Sequence, residues 1–228
     1  MTGSYYSYSD KKIKMFKEKI KMGICKDTLI AVTPKANIEY QIYITDVDIK
    51  DIEKYETKDR LTTLCRNGCA NYEHKWSCPP YAPFYSDFTD KYEYLSVCLA
   101  LVKLNQLEYI KNDYLKVKAA NTILKSRIDK ALRNLIDKDV YYISSGSCRL
   151  CKSCKCKIHE PCARPGLMTY SFEALGINVA KMVYDLFGIP LLWYRKHHLP
   201  EYTSVVAGLI SKERYNASVI LGTLRSIN

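Results

Sequence analysis

Apolar and polar positions change period along the chain, and the changes mark its elements. Residues 28–33 and 38–45 are rich in β-branched side chains and predict two strands, joined by a hairpin turn at Pro34-Lys35-Ala36-Asn37. Ahead of them, residues 11–22 carry Ile13, Phe16 and Ile20 on one helical face, with Gly23 as a stop. Residues 46–58 are polar and predict at most a short helix, whereas residues 94–104 read as a buried strand. The longest helical pattern covers residues 106–138, as one helix or two. Ile110, Tyr114, Val117, Leu124, Ile128, Ala131 and Leu135 recur there at steps of three and four, with Asn121 in their seam. Residues 140–144 predict a short strand. Residues 171–187 predict a helix with Ser171 as N-cap and Glu173 in its first turn, ended by Gly188 and Pro190. Residues 191–194 and 203–210 are further strand candidates. Strands and helices are interspersed, so the expected class is α/β or α+β, a mixed β-sheet with flanking helices.

Two segments follow no regular period. Residues 65–84 contain Pro79, Pro80 and Pro83 and hold Cys65, Cys69 and Cys78; residues 146–166 hold Cys148, Cys151, Cys154, Cys156 and Cys162. The opening Met1-Thr2-Gly3-Ser4 is not a basic stretch followed by an apolar one. The apolar runs at 97–102 and 205–210 are far too short to span a bilayer. A soluble cytoplasmic protein is the expectation, and there thiols stay reduced unless a metal holds them. Eight of the ten cysteines are grouped at short spacings and therefore read as metal ligands, not as a disulfide framework. At 47% apolar residues the chain suits a single domain over residues 1–228, with segments 65–84 and 146–166 as metal-binding loops within it.

The second group gives the stronger signal. Cys148-x2-Cys151-x2-Cys154 followed by Cys162 and Pro165 follows the logic of a 4Fe–4S cluster loop, in which three closely spaced thiolates wrap one face and a remote one closes the cage. Structural zinc more often pairs two C-x2-C knuckles across a longer stretch, a spacing absent within this group. Cys156 is either an alternative ligand or a spare thiol, and His159 is close enough in sequence to stand behind Cys162. Arg149, Lys152, Lys155, Lys157 and Arg164 would raise the potential of a bound cluster, or are simply solvated.

The first group, Cys65-x3-Cys69-x8-Cys78, has two readings. Three thiolates can hold a 4Fe–4S cluster whose fourth iron is open to a small ligand. With His74 they instead approximate a zinc knuckle, each outer spacing off by one. On a basic chain a knuckle would point to single-stranded RNA, with Tyr72, Trp76 and Tyr81 as stacking platforms. Those aromatics are expected rather to pack over the site and shield it. Cys98 is expected in the core, Cys25 is incidental, and His197-His198 reads as a polar turn before Pro200. Nucleotide-binding glycine loops and the G-x-S-x-G elbow are missing, and C-x3-C followed by x8 departs from the C-x3-C-x2-C of radical enzymes that use S-adenosylmethionine. The net charge is +11, but basic residues are interleaved with acidic ones and form no block. This favours a solvated basic surface over a nucleic-acid site.

Taken together, Cys65-Arg66-Asn67-Gly68-Cys69, Asn71-Tyr72, Trp76-Ser77-Cys78-Pro79-Pro80-Tyr81, Gly146-Ser147-Cys148-Arg149-Leu150-Cys151-Lys152-Ser153-Cys154, Pro161-Cys162-Ala163-Arg164-Pro165 and residues 171–179 resemble a prokaryotic family of predicted metal-binding proteins with a double cysteine motif. The resemblance covers roughly residues 60–190. It implies metal ligands at Cys65, Cys69, Cys78, Cys148, Cys151, Cys154 and Cys162, with His74 and Cys156 outside the pattern. Where the pattern often puts Arg directly after the last cysteine, this chain has Ala163; Arg164 would serve instead, paired with Glu173.

The resulting expectation is an iron–sulfur protein with one or two 4Fe–4S clusters. The Cys148 set would relay electrons and the Cys65 set would be an open site for a small ligand, in an oxidoreductase or sulfur-handling enzyme if the protein is an enzyme. An acidic ferredoxin or flavodoxin would suit its basic surface, with no membrane involved. A zinc-stabilised binding module for RNA or an acidic protein, and a carrier delivering metal or cluster, are the alternatives.

Overall fold

The computed structural model describes residues 23–57, 63–196 and 198–227. The helix expected at residues 11–22 and the side chain of His197 lie outside them. The strands are β1 (Cys25–Val32), β2 (Asn37–Asp48), β3 (Tyr94–Lys103), β4 (Val140–Ile143) and β5 (Tyr202–Ser211). The helices are α1 (Lys50–Glu53), α2 (Tyr85–Thr89), α3 (Asp113–Arg133), α4 (Val179–Phe187) and α5 (Ala217–Ser226).

The β1–β2 hairpin forms where β-branched residues predict it. Thr33 closes its turn, its Oγ1 donating to Ala36 O at 2.6 Å. The sheet order is β1-β2-β3-β5-β4 and every neighbouring pair is antiparallel, so the sheet is not mixed and the fold is α+β. The one parallel contact among the described residues is an isolated bridge, Ser144 to Ser171.

Both faces of the sheet are covered. Cys98, Ala100 and Val102 of β3 pack with Leu124 and Ile128 of α3 and Leu224 of α5, while Val97, Leu99 and Leu101 pack on the opposite face with Met182 and Val183 of α4. Central strands buried on two faces read as continuous apolar runs, which is why β3 and β5 show no alternation in sequence. At Gly208 of β5 a Cβ would stand 2.9 Å from both Leu95 Cδ1 and Phe172 Cζ, so the missing side chain lets Phe172 lie across the strand.

Helix α3 is a single helix shorter than its apolar pattern, because Asn112 caps it by accepting from Leu115 N at 3.0 Å. The helix expected from residue 171 begins only at Val179. Ser171 still caps a turn, accepting from Ala174 N at 3.2 Å, but Gly176 then adopts φ +84°. Thr57 N donates to Gly176 O and Asn178 N to Tyr55 O, pulling the chain into a bridge with residue 56 before Asn178 caps α4. Residues 191–194 are irregular, because no neighbouring strand pairs with them. Helix α5, which no periodic pattern announced, is capped by Asn216 and closes the first face. No helix among the described residues is long and apolar enough to cross a membrane.

Gly208→Ala is expected to lower stability by about 1–3 kcal/mol through overpacking against Leu95 and Phe172. Gly222→Ala, on the exposed side of α5 with nothing near its Cβ, is expected to raise it by about 0.5–1 kcal/mol. Urea midpoints of the two variants provide the check.

Candidate functional site

Strand β4 is four residues long and pairs only with the last four of β5, Gly208 to Ser211. The first half of β5 therefore has no strand on that edge among the described residues, and a cavity of about 570 Å³ opens along it. Thr203, Ser204 and Val206 of β5 form one wall. Val117, Asn121 and Lys125, at steps of four on α3, form another, and the 145–147 continuation of β4 and the 171–180 turn close the sides.

Cys65, Cys69 and Cys78 all line this cavity. Cys65 lies in a helical turn at residues 63–66, and Cys69 N donates to Cys65 O at 3.0 Å, so a spacing of four puts both thiols on one side. Cys78 arrives through successive turns, its N donating to Lys75 O at 3.0 Å, and is followed by a cis peptide bond between Pro79 and Pro80. Burial pushes the Cys78 thiol up to about 11; nearby Cys69 and Cys65 add to the rise, and Ser77 and Lys75 oppose it. Burial also raises the Cys65 thiol, followed by Cys69 and Glu173. Cys65 and Cys78 are thus disfavoured as thiolates, a penalty that a bound cation would reverse. His74 does not join them: it is exposed, and its Nδ1 donates to Tyr72 O at 2.7 Å.

Cys148, Cys151, Cys154 and Cys162 surround a second, smaller cavity of about 30 Å³, together with Lys75, Trp76 and Arg164. Cys156 faces away. It is buried, its Sγ donating to Glu73 O at 3.4 Å, so it fastens one cysteine loop to the other. Arg164 and Glu173 form no ion pair: Arg164 lines the small cavity, whereas Glu173 lines the large one and reaches Cys65 and Lys125 electrostatically. Among the flanking cations, Lys155 is engaged by Glu160 at 2.7 Å. Cys98 is buried in the core and Cys25 lies in β1, away from both cavities. His198 forms the expected turn, its N donating to Arg195 O at 2.9 Å.

The two loops are stitched at Lys75–Ser77. Lys75 Nζ donates to Cys148 O at 2.8 Å and to Ser147 Oγ at 3.1 Å. Ser77 Oγ accepts from Cys148 N at 3.1 Å and lies 4.0 Å from Cys78 Sγ, so one hydroxyl touches both cysteine sets. Trp76 Nε1 donates to Glu160 O at 2.9 Å and its ring meets Tyr81 edge-on at 4.7 Å, while Tyr72 lines the large cavity. Tyr72 and Trp76 thus each line one cavity, whereas Tyr81 is exposed and reaches the site only through the Trp76 ring.

Sequence reasoning missed Lys75 and Lys125. Lys125 was detectable as the polar residue four positions after Asn121 in the apolar seam of α3. Lys75 gave no signal, because its partner is a backbone carbonyl of a distant loop. Among the described residues, no three Cys, His, Asp or Glu side chains are drawn together closely enough to hold a single metal ion.

The α+β scaffold thus turns Cys65, Cys69 and Cys78 onto the larger cavity and Cys148, Cys151, Cys154 and Cys162 onto the smaller one. The chain belongs to the predicted metal-binding protein family DUF2284, whose match covers residues 48–210 and so includes both cysteine sets. No curated protein and no solved structure matches it.

Removing the stitch by Lys75→Met is expected to cost about 1–3 kcal/mol in stability, since a charged donor leaves a carbonyl partner. It is also expected to speed alkylation of Cys148 in reduced, metal-free protein, as followed by peptide mass mapping.

Proposed function

We propose that the protein holds iron–sulfur clusters at its two cysteine sets. Cys148, Cys151, Cys154 and Cys162 would hold the relay cluster, and Cys65, Cys69 and Cys78 a cluster with one open iron. The observation that carries this reading is that three thiols line a cavity large enough for a small molecule while four others surround an adjacent space. The donor set fits the group: it is sulfur only, which suits iron–sulfur clusters and zinc and argues against hard oxygen-seeking cations. A cluster held by three thiolates supplies a Lewis-acidic iron to a ligand beside it.

The chain's own contributions are positional. Lys75 and Ser77 fix the Cys148 backbone, and the Ser77 hydroxyl spans the gap between the sets. Trp76 and Tyr81 cover the outer side and limit access of water. A cationic surface, +11 overall, favours docking of an acidic ferredoxin or flavodoxin, with association slowed by added salt.

Structural zinc at the Cys148 set is the second reading, favoured by the four thiols that surround the smaller cavity. Anaerobic purification with metal analysis separates the two. A brown protein with about four irons per occupied set is expected, about eight when both are filled. Colourless protein containing zinc would overturn the iron–sulfur reading. Cys154→Ser is expected to lose the metal of the second set, whereas Cys156→Ser, altering a thiol bonded to a backbone carbonyl, is expected to keep the full complement.

A further inference from the structure

The 570 Å³ cavity has a charge pattern that specifies more than its size. Among the described residues that line it, Lys125 is the one cation and Glu173 the one carboxylate. Lys125 projects from α3 towards Gly146, its Nζ 3.6 Å from where a Cβ on that residue would be. No hydrogen bond or ion pair holds the ammonium among the described residues. Burial penalises its charge, Arg149 adds repulsion, and Glu173 compensates in part. A desolvated ammonium without a close counter-ion gains from an incoming anion.

The neutral groups beside it are already committed in a way that leaves donors over. Asn121 Nδ2 holds Thr203 Oγ1 at 2.7 Å, and Asn178 spends its Oδ1 on Lys181 N at 3.1 Å, which leaves the Asn178 amide N–H groups for a ligand. Val117, Ile177, Leu191 and Val206 give the wall an apolar stretch, with Ser145, Ser147 and Ser204 among the neutral polar residues around it. A dianion such as a phosphate would meet a single lysine with Glu173 opposite, whereas phosphate sites gather several cations or helix N-termini. One cation, spare amide donors and an apolar stretch match a monoanion with a hydrocarbon part.

We propose that this cavity binds a small carboxylate, its carboxyl group anchored by Lys125 and its hydrocarbon chain lying along Val117, Leu191 and Val206, beside the Cys65, Cys69 and Cys78 thiols. The proposal rests on reading the cavity as the ligand chamber of the cysteine site. Lys125 is a binding residue in it, and the proposal assigns no reaction.

The test uses the full chain, both as purified anaerobically and after reduction and chelator treatment, with metal content measured on each sample. Straight-chain carboxylates from butyrate to octanoate and their amides are titrated by ligand-observed NMR. At least one carboxylate is expected to bind both preparations, with its amide weaker by about tenfold or more. Lys125→Met is expected to weaken the carboxylate by a similar factor and leave the amide unchanged, while Lys125→Arg retains binding. Circular dichroism melts establish that the variants are folded; should Lys125→Met not fold, the carboxylate–amide pair on the parent chain and the Lys125→Arg variant decide. Equal binding of acid and amide, no binding of any acid, or undiminished binding to folded Lys125→Met overturns the proposal. Lysine-dependent binding to a colourless zinc protein would sink the iron–sulfur reading and leave this one standing. An iron-loaded protein that ignores every carboxylate does the reverse.

Discussion

The contact on which the site depends is the hydrogen bonding of Lys75 and Ser77 to the backbone of Cys148. Each cysteine loop is short of regular structure, and neither could hold its thiols in place alone. Joined at this point, the loops share one rigid seam, reinforced by the Trp76 indole on Glu160 and the Cys156 thiol on Glu73. Backbone carbonyls and amides are the partners in most of these contacts. The seam therefore persists whichever residues occupy the exposed positions between the cysteines.

The sheet supplies the other half of the arrangement. Its central strands are buried on both faces, and the four-residue length of β4 leaves half of β5 without a strand beside it. A longer β4 would continue the ladder and close the cavity. Because it stops at Ile143, the chain turns away through Ser144, lines the cavity with residues 145–147 and leads on into the second cysteine loop. The cavity is thus a product of strand length, with α3 and the 171–180 turn as its walls.

Much of this was legible in the sequence. The hairpin, the central strands and α3 follow from β-branched content and three-to-four periodicity, and the cysteine spacings divide into the two sets that line separate cavities. Elements set by distant contacts were not legible. The helix from Ser171 is broken at Gly176 because the chain is captured by the backbone of residues 55–57, and sequence periodicity carries no trace of that. The antiparallel order required knowing that β5 inserts between β3 and β4. Arg164 and Glu173 are near in sequence and charged oppositely, yet the two cavities separate them.

Solvent exposure is unequal within each set of thiols. Cys69 and Cys151 are exposed, while Cys78 is buried and Cys65, Cys148, Cys154 and Cys162 are half-covered. Each set thus keeps one sulfur at the door and the others inside. On the proposed reading, a cofactor reaching the folded chain would meet the outermost sulfur of a set first and the sheltered ones only afterwards.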